Sequence, residues 1–223
     1  MKVVITGATG FIGREVLEQC IEHPSITSII VLSRRELPGP ATSPKVKVVV
    51  IDDFLKYSPS TLSEIQDADA CIWALGKTLI LNNDDARRIS IDYTLAAAQA
   101  FTENAAAKGD RESKFRFIYV SGRAAERDQT KSLWFLRDYR RIRGQVETEV
   151  IEHAKKNPGA FEAYVMRPGL VLKKEFNLAD VGRSFITSVR VDALAKVTID
   201  VALNGFEREI WENGDIVERG KTM

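Results

Sequence analysis

The stretch TGATGFIG, residues 6–13, sets three glycines between the apolar run KVVIT (2–6) and the helix-patterned FIGREVLEQCIEH. Each glycine has a physical use at such a turn. Gly7 permits the sharp reversal, Gly10 lets backbone amides approach a pyrophosphate, and Gly13 lets helix and strand pack closely. Thr9, Phe11 and Ile12 complete the candidate cofactor loop, with Phe11 and Ile12 expected to pack the helix start onto the sheet. The spacing is GxxGxxG, and it carries weight because it stands at the strand-to-helix turn of a βαβ unit.

The rest of the chain continues that unit. SIIVLS (28–33), KVKVVVI (45–51), ADACIWAL (68–75), FRFIYVS (115–121) and FEAYVMRP (161–168) read as strands apolar on both faces. Helical patterns separate them, over 11–23, over the alanine-rich segment 84–109, and from about Leu133 to Asn157. Residues 189–205 supply a further strand and helix, and EIWENGDIVERG closes the chain. Strands of this kind between helices indicate a parallel sheet covered on both sides, a doubly wound α/β (Rossmann) fold. No linker or repeat interrupts the pattern. The expectation is a single domain over 1–223, with 170–223 as a short substrate-side lobe.

Composition narrows the partners. Lys and Arg number 32 against 31 Asp and Glu, so no general attraction to nucleic acid or an anionic membrane follows. Cys20 and Cys71 have no metal-like or CxxC spacing and read as small apolar core residues of a reduced protein. His23 and His153 stand in polar surroundings and are expected to face solvent; no metal site is expected. With a strand starting at residue 2 and no long apolar run, the reading is no targeting peptide, no transmembrane segment and a cytoplasmic location.

The end of the second strand selects the dinucleotide. A carboxylate there would bind the adenosine ribose of NAD, whereas this chain has Ser33, Arg34 and Arg35. A hydroxyl and two guanidinium groups suit a 2′-phosphate through charge-assisted hydrogen bonds, so NADP(H) is the expected cofactor.

TGATGFIG, DDF (52–54), ALG (74–76), YxxxR (139–143) followed by GQVE, and RPG (167–169) together resemble the atypical short-chain dehydrogenase/reductases. The likeness is greatest to the Tat-interacting-protein oxidoreductase-like group and its small fungal relatives. SRRELPGPAT (33–42) and IDYTLAAAQA (91–100) extend it over nearly the whole chain. The resemblance implies that Asp53 and Phe54 flank the adenine and that Ala74, Leu75 and Gly76 line the cofactor path. It implies that Pro168, Gly169 and Leu170 border the nicotinamide. Ser121 would occupy the catalytic serine position, holding a carbonyl oxygen, and Tyr139 would be the general acid/base. Arg143 stands where the group has lysine.

The residues support part of this independently. Tyr139 and Arg143 fall on one helical face, and a phenol needs nearby positive charge to exchange protons at neutral pH. Arginine supplies the charge, but its planar head does not superimpose on an ammonium. Residues 122–138 separate Ser121 from Tyr139, more than the resembled group shows. Within them Trp134, Phe135 and Leu136 read as core-packing residues or as a cap on a substrate pocket. Three functions fit: an NADPH-dependent carbonyl reductase acting on a small or medium-sized metabolite; a redox-neutral isomerase, epimerase or dehydratase; and a non-catalytic NADPH-binding regulator or scaffold. A homodimer or a protein partner is compatible with each.

Overall fold

In a computed structural model, residues 1–37, 43–76, 82–106, 114–175 and 187–223 are described. β1 (Lys2–Thr6) leads into α1 (Phe11–Glu22), followed by β2 (Ser28–Ser33), β3 (Val46–Val50), α2 (Pro59–Ile65) and β4 (Ala70–Trp73). α3 (Asn83–Arg87), a π-helical turn (Arg88–Asp92) and α4 (Tyr93–Ala106) precede β5 (Phe115–Val120). Then come α5 (Arg137–Lys156), β6 (Phe161–Arg167), β7 (Leu170–Leu172), β8 (Ser188–Arg190), α6 (Val191–Asn204), β9 (Ile210–Glu212) and α7 (Asn213–Thr222).

Among the described residues, seven strands form one parallel sheet in the order β3–β2–β1–β4–β5–β6–β9. The order reverses between β1 and β4, and in such sheets the crevice at the C-terminal ends of the strands beside that reversal receives the ligand. Strand alternation feeds two apolar layers. Val3 and Ile5 belong with Val16 and Leu17 of α1 and Leu194 of α6; Val4 belongs with Phe101 of α4 and Val146 of α5. All of these are essentially inaccessible to solvent, and each such side chain stabilises the fold by ~1.5–3 kcal/mol. On the α4/α5 side, Phe54, Trp73 and Phe117 form an aromatic row, with ring centroids 5.6 and 5.8 Å apart in successive pairs.

The described residues after 170 divide between two sheets. β9 extends the main sheet by pairing with β6, and α6 packs on α1; β7 and β8 form a separate two-stranded parallel sheet. Part of KKEFNLADVGRSFITS (173–188), and the ends of the expected 33–42 and 84–109 segments, lie outside the described residues. Cys20 and Cys71 are both buried as free thiols. His153 corrects the expectation of a solvent-facing ring. It is half-buried, 2.8 Å from Thr102 Oγ1 and edge-on to Phe161, because it closes the gap between α4, α5 and β6. Burial holds its pKa below the usual histidine value.

Candidate dinucleotide and acid/base site

The glycine turn has the geometry its spacing implies. Gly7 is left-handed at φ +72, and a Cβ there would stand 2.3 Å from the Ala74 carbonyl oxygen. A Cβ on Gly13 would lie 2.2 Å from the Gly7 carbonyl oxygen, so helix and turn touch backbone to backbone. Gly10 differs. Its nearest neighbour would be the Gly7 oxygen at 3.2 Å, and Gly10 itself is solvent-exposed. It caps α1 with extended backbone, no side-chain cap and no acid in the first turn, leaving the helix's first amides for an anion. Ile12 packs on the α1-side core, but Phe11 is 51% exposed and does not pack the helix start onto the sheet.

Gly7, Thr9, Ser33, Arg34, Arg35, Phe54 and Leu75 line one cavity of 330 Å³, together with Ala8 and Leu32. A larger groove of 1110 Å³ lies at the other end of the sheet, beside Met1, Asp69 and Arg116. The switch-point rule assigns ligand binding to the C-terminal strand ends, so the smaller cavity is the relevant one. Ser33 ends β2 half-buried and its Oγ accepts from Arg35 N at 3.3 Å, while both arginine side chains are exposed. No ion pair among the described residues engages either. Phe54 is 1% exposed and belongs chiefly to the aromatic core, showing the cavity little more than an edge. Asp53 pairs with Arg88 of the π-helical turn at 3.0 Å, and its Oδ1 accepts from Leu55 N. These residues fit the adenosine and pyrophosphate end of a dinucleotide. Gly10→Val should therefore remove NADP⁺ binding while leaving the unfolding temperature of the free protein nearly unchanged. A variant still stabilised by NADP⁺ in a thermal-shift measurement would refute the phosphate-loop assignment.

The candidate acid/base end is built by α5 over β5 and β4. Arg143 Cζ stands 5.6 Å from the Tyr139 ring centroid, so the helix brings the two together. Nη1 donates to the Tyr119 hydroxyl at 3.1 Å and to the Val120 carbonyl at 3.3 Å. Both terminal nitrogens lie 3.9 Å from where a Cβ on Gly76 would stand, which puts the guanidinium at the exit of β4. Burial alone would lower the pKa of Arg143, but the Tyr119 and Tyr139 phenols outweigh it and hold the group firmly protonated. Tyr119 went unnoticed in the sequence because a tyrosine in an apolar strand reads as core.

Ser121 is engaged elsewhere. It is buried, and its Oγ donates to Glu147 Oε1 at 2.5 Å. Glu147 is fully buried and is gripped by Arg167, whose Nε donates to both carboxylate oxygens at 3.1 and 3.0 Å and whose Nη2 also bonds Oε2. Arg167 reaches Glu212 at 2.9 Å. A carboxylate held by a guanidinium only accepts, so the serine proton is taken up by Glu147. Glu147 and Arg167 stand in the GQVE and RPG motifs, but the sequence alone assigns neither a role: a glutamate on a charged helix reads as solvated. Pro168 is buried, its carbonyl accepting from Arg123 N at 2.8 Å, and Gly169 N donates to Asn213 Oδ1 at 2.7 Å. Leu170 is 42% exposed at the start of β7.

The long 122–136 segment is strapped to α5. Glu126 N donates to Arg140 O at 2.8 Å, and Arg140 Nε to Ala124 O at 2.8 Å. A Cβ on Gly144 would stand 1.8 Å from the Glu126 carbonyl oxygen, so only glycine allows this approach. Core packing for the aromatic pair is overturned. Trp134 is 95% and Phe135 57% exposed, their rings tilted against each other with centroids 5.8 Å apart, and the left-handed Leu136 (φ 48) delays the helix start to Arg137.

The fold and glycine turn define a doubly wound Rossmann-type α/β protein. Residues 3–80 match the family described as polysaccharide biosynthesis protein. Leucinostatins biosynthesis cluster protein T of Purpureocillium lilacinum is 34% identical over 122 residues, covering 54% of this chain and 42% of that protein. Protein FMP52, mitochondrial, of Candida albicans is 26% identical, covering 97% of this chain and 94% of its own. Among solved structures, yeast methylglyoxal/isovaleraldehyde reductase Gre2 complexed with NADPH superposes with a TM-score of 0.73 at 14% identity, over 95% of this chain and 78% of the other. These likenesses correct one expectation. Full-length relatives from several fungi are named mitochondrial, against the cytoplasmic location expected here. The error came from treating an early first strand as evidence about targeting. No helix among the described residues is long and apolar enough to cross a membrane.

Proposed function

We propose that this chain is an NADP(H)-dependent oxidoreductase of the short-chain dehydrogenase/reductase kind, reducing a carbonyl of a small or medium-sized metabolite. One observation carries the reading: the Arg143 guanidinium spans from the Tyr139 ring to the Gly76 exit of β4, beside the dinucleotide path. A reduced nicotinamide, when bound, would supply the hydride. Tyr139 gives its phenolic proton to the carbonyl oxygen, and Arg143 stabilises the phenolate left behind. The proton-donor role rests on Tyr139 alone, since Ser121 gives its own proton to Glu147. Loss of NADPH absorbance with a panel of aldehydes and ketones tests the reading; tight NADPH binding without turnover on any of them would overturn it. That outcome would favour the second reading, a non-catalytic NADP(H)-binding regulator, to which the committed Ser121 also points. The relatives' names support a mitochondrial location, which cell fractionation checks.

NADP(H) should bind more tightly than NAD(H) through Ser33, Arg34 and Arg35, which border the cavity. Each charge-assisted contact contributes ~1.5–3 kcal/mol, so replacing both arginines with alanine should reduce the preference by tens-fold or more. Equal affinities of the unaltered protein for the two dinucleotides, measured by calorimetry, would refute the assignment.

A further inference from the structure

Strand alternation places Phe115, Phe117 and Tyr119 in the layer that α5 covers, and of the three only Tyr119 carries a hydroxyl. It stands at the ligand end of β5, where α5 presents Arg143. The Tyr119 ring is 1% exposed, and Arg143 Nη1 donates to its hydroxyl at 3.1 Å and to the adjoining Val120 carbonyl at 3.3 Å. Burial holds the Tyr119 pKa above the usual tyrosine value, so it is a neutral acceptor rather than an ion-pair partner.

We propose that Tyr119 is a positioning residue for Arg143: its hydroxyl, with the Val120 carbonyl, pins one edge of the guanidinium so that the rest stays against Tyr139 and the dinucleotide path beside Gly76. The need arises from the shape of the group. An ammonium is a compact point charge that donates in any rotation about its stem, whereas a guanidinium has directional donors in one plane and must be held in orientation. Tyr119 is what lets an arginine serve at this position. The inference rests on the dinucleotide reading.

The test is calorimetric titration of NADP⁺ into the full chain, in the Arg143 and Arg143→Lys backgrounds, each with and without Tyr119→Phe. In the Arg143 background, Tyr119→Phe should weaken NADP⁺ binding by about tenfold, the size of one hydrogen bond to a charged group. In the Arg143→Lys background the same change should cost less than about twofold, because the ammonium needs no pin. An equal loss in both backgrounds means Tyr119 acts only through packing and overturns the proposal, as does an unaffected Tyr119→Phe protein. If the unaltered chain does not bind NADP⁺, the dinucleotide reading falls and takes this inference with it. Binding by the unaltered chain with either of the other two outcomes removes the inference alone.

Discussion

Tyr139→Phe is expected to lower turnover of a confirmed carbonyl substrate by ~10²–10⁴-fold, the range for losing a general acid/base. The change removes one oxygen and leaves the ring, so its packing near the Arg143 head at 5.6 Å survives and NADP(H) affinity should change little. That separation is the informative part. Arg143→Ala should damage both turnover and cofactor binding, because the guanidinium faces the phenol and the β4 exit at once. Arg143→Lys should retain or raise activity. Steady-state kinetics with dinucleotide titrations on all three variants check this, and unchanged turnover in Tyr139→Phe would reduce the tyrosine to a bystander on a basic helix.

The second large effect concerns stability. Glu147→Ala should destabilise the protein by ~3–5 kcal/mol, because it leaves the Arg167 guanidinium largely buried without its main partner and Ser121 without its acceptor. Arg167 would keep Glu212, but that carboxylate is half exposed and offsets little. The loss should appear in urea unfolding as a lower midpoint at an unchanged slope. A variant within about 1 kcal/mol of the unaltered protein would mean that the buried pair contributes shape rather than energy.

Legibility from sequence followed the physics of each signal. β1 and β2 begin and end where their apolar runs do, because strands buried on both faces leave no ambiguity. β4 was read too long. Ala74 leaves the sheet early, since its carbonyl lies against Gly7, a long-range contact that no local pattern contains. The alanine-rich helix was read as one piece, whereas a π-helical turn interrupts it and aims Arg88 at Asp53. The glycine turn and the Tyr139–Arg143 pair were visible because their spacing is local. The roles of Tyr119, Glu147 and Arg167 were not, because their partners lie on other elements and polar groups in such places look like core or surface until the fold joins them. Trp134 misled for the opposite reason: its bulk suggests burial, and here it is not buried.

An arginine at position 143 also removes a titration. A lysine in the same enclosure could shed its proton as pH rises, and the charge beside Tyr139 would then vanish. The guanidinium begins far above any working pH and its surroundings raise it further, so the charge is permanent. The alkaline limb of a pH–rate profile would accordingly carry no ionisation from position 143. The local field would be a fixed property of the chain, as constant as its covalent geometry.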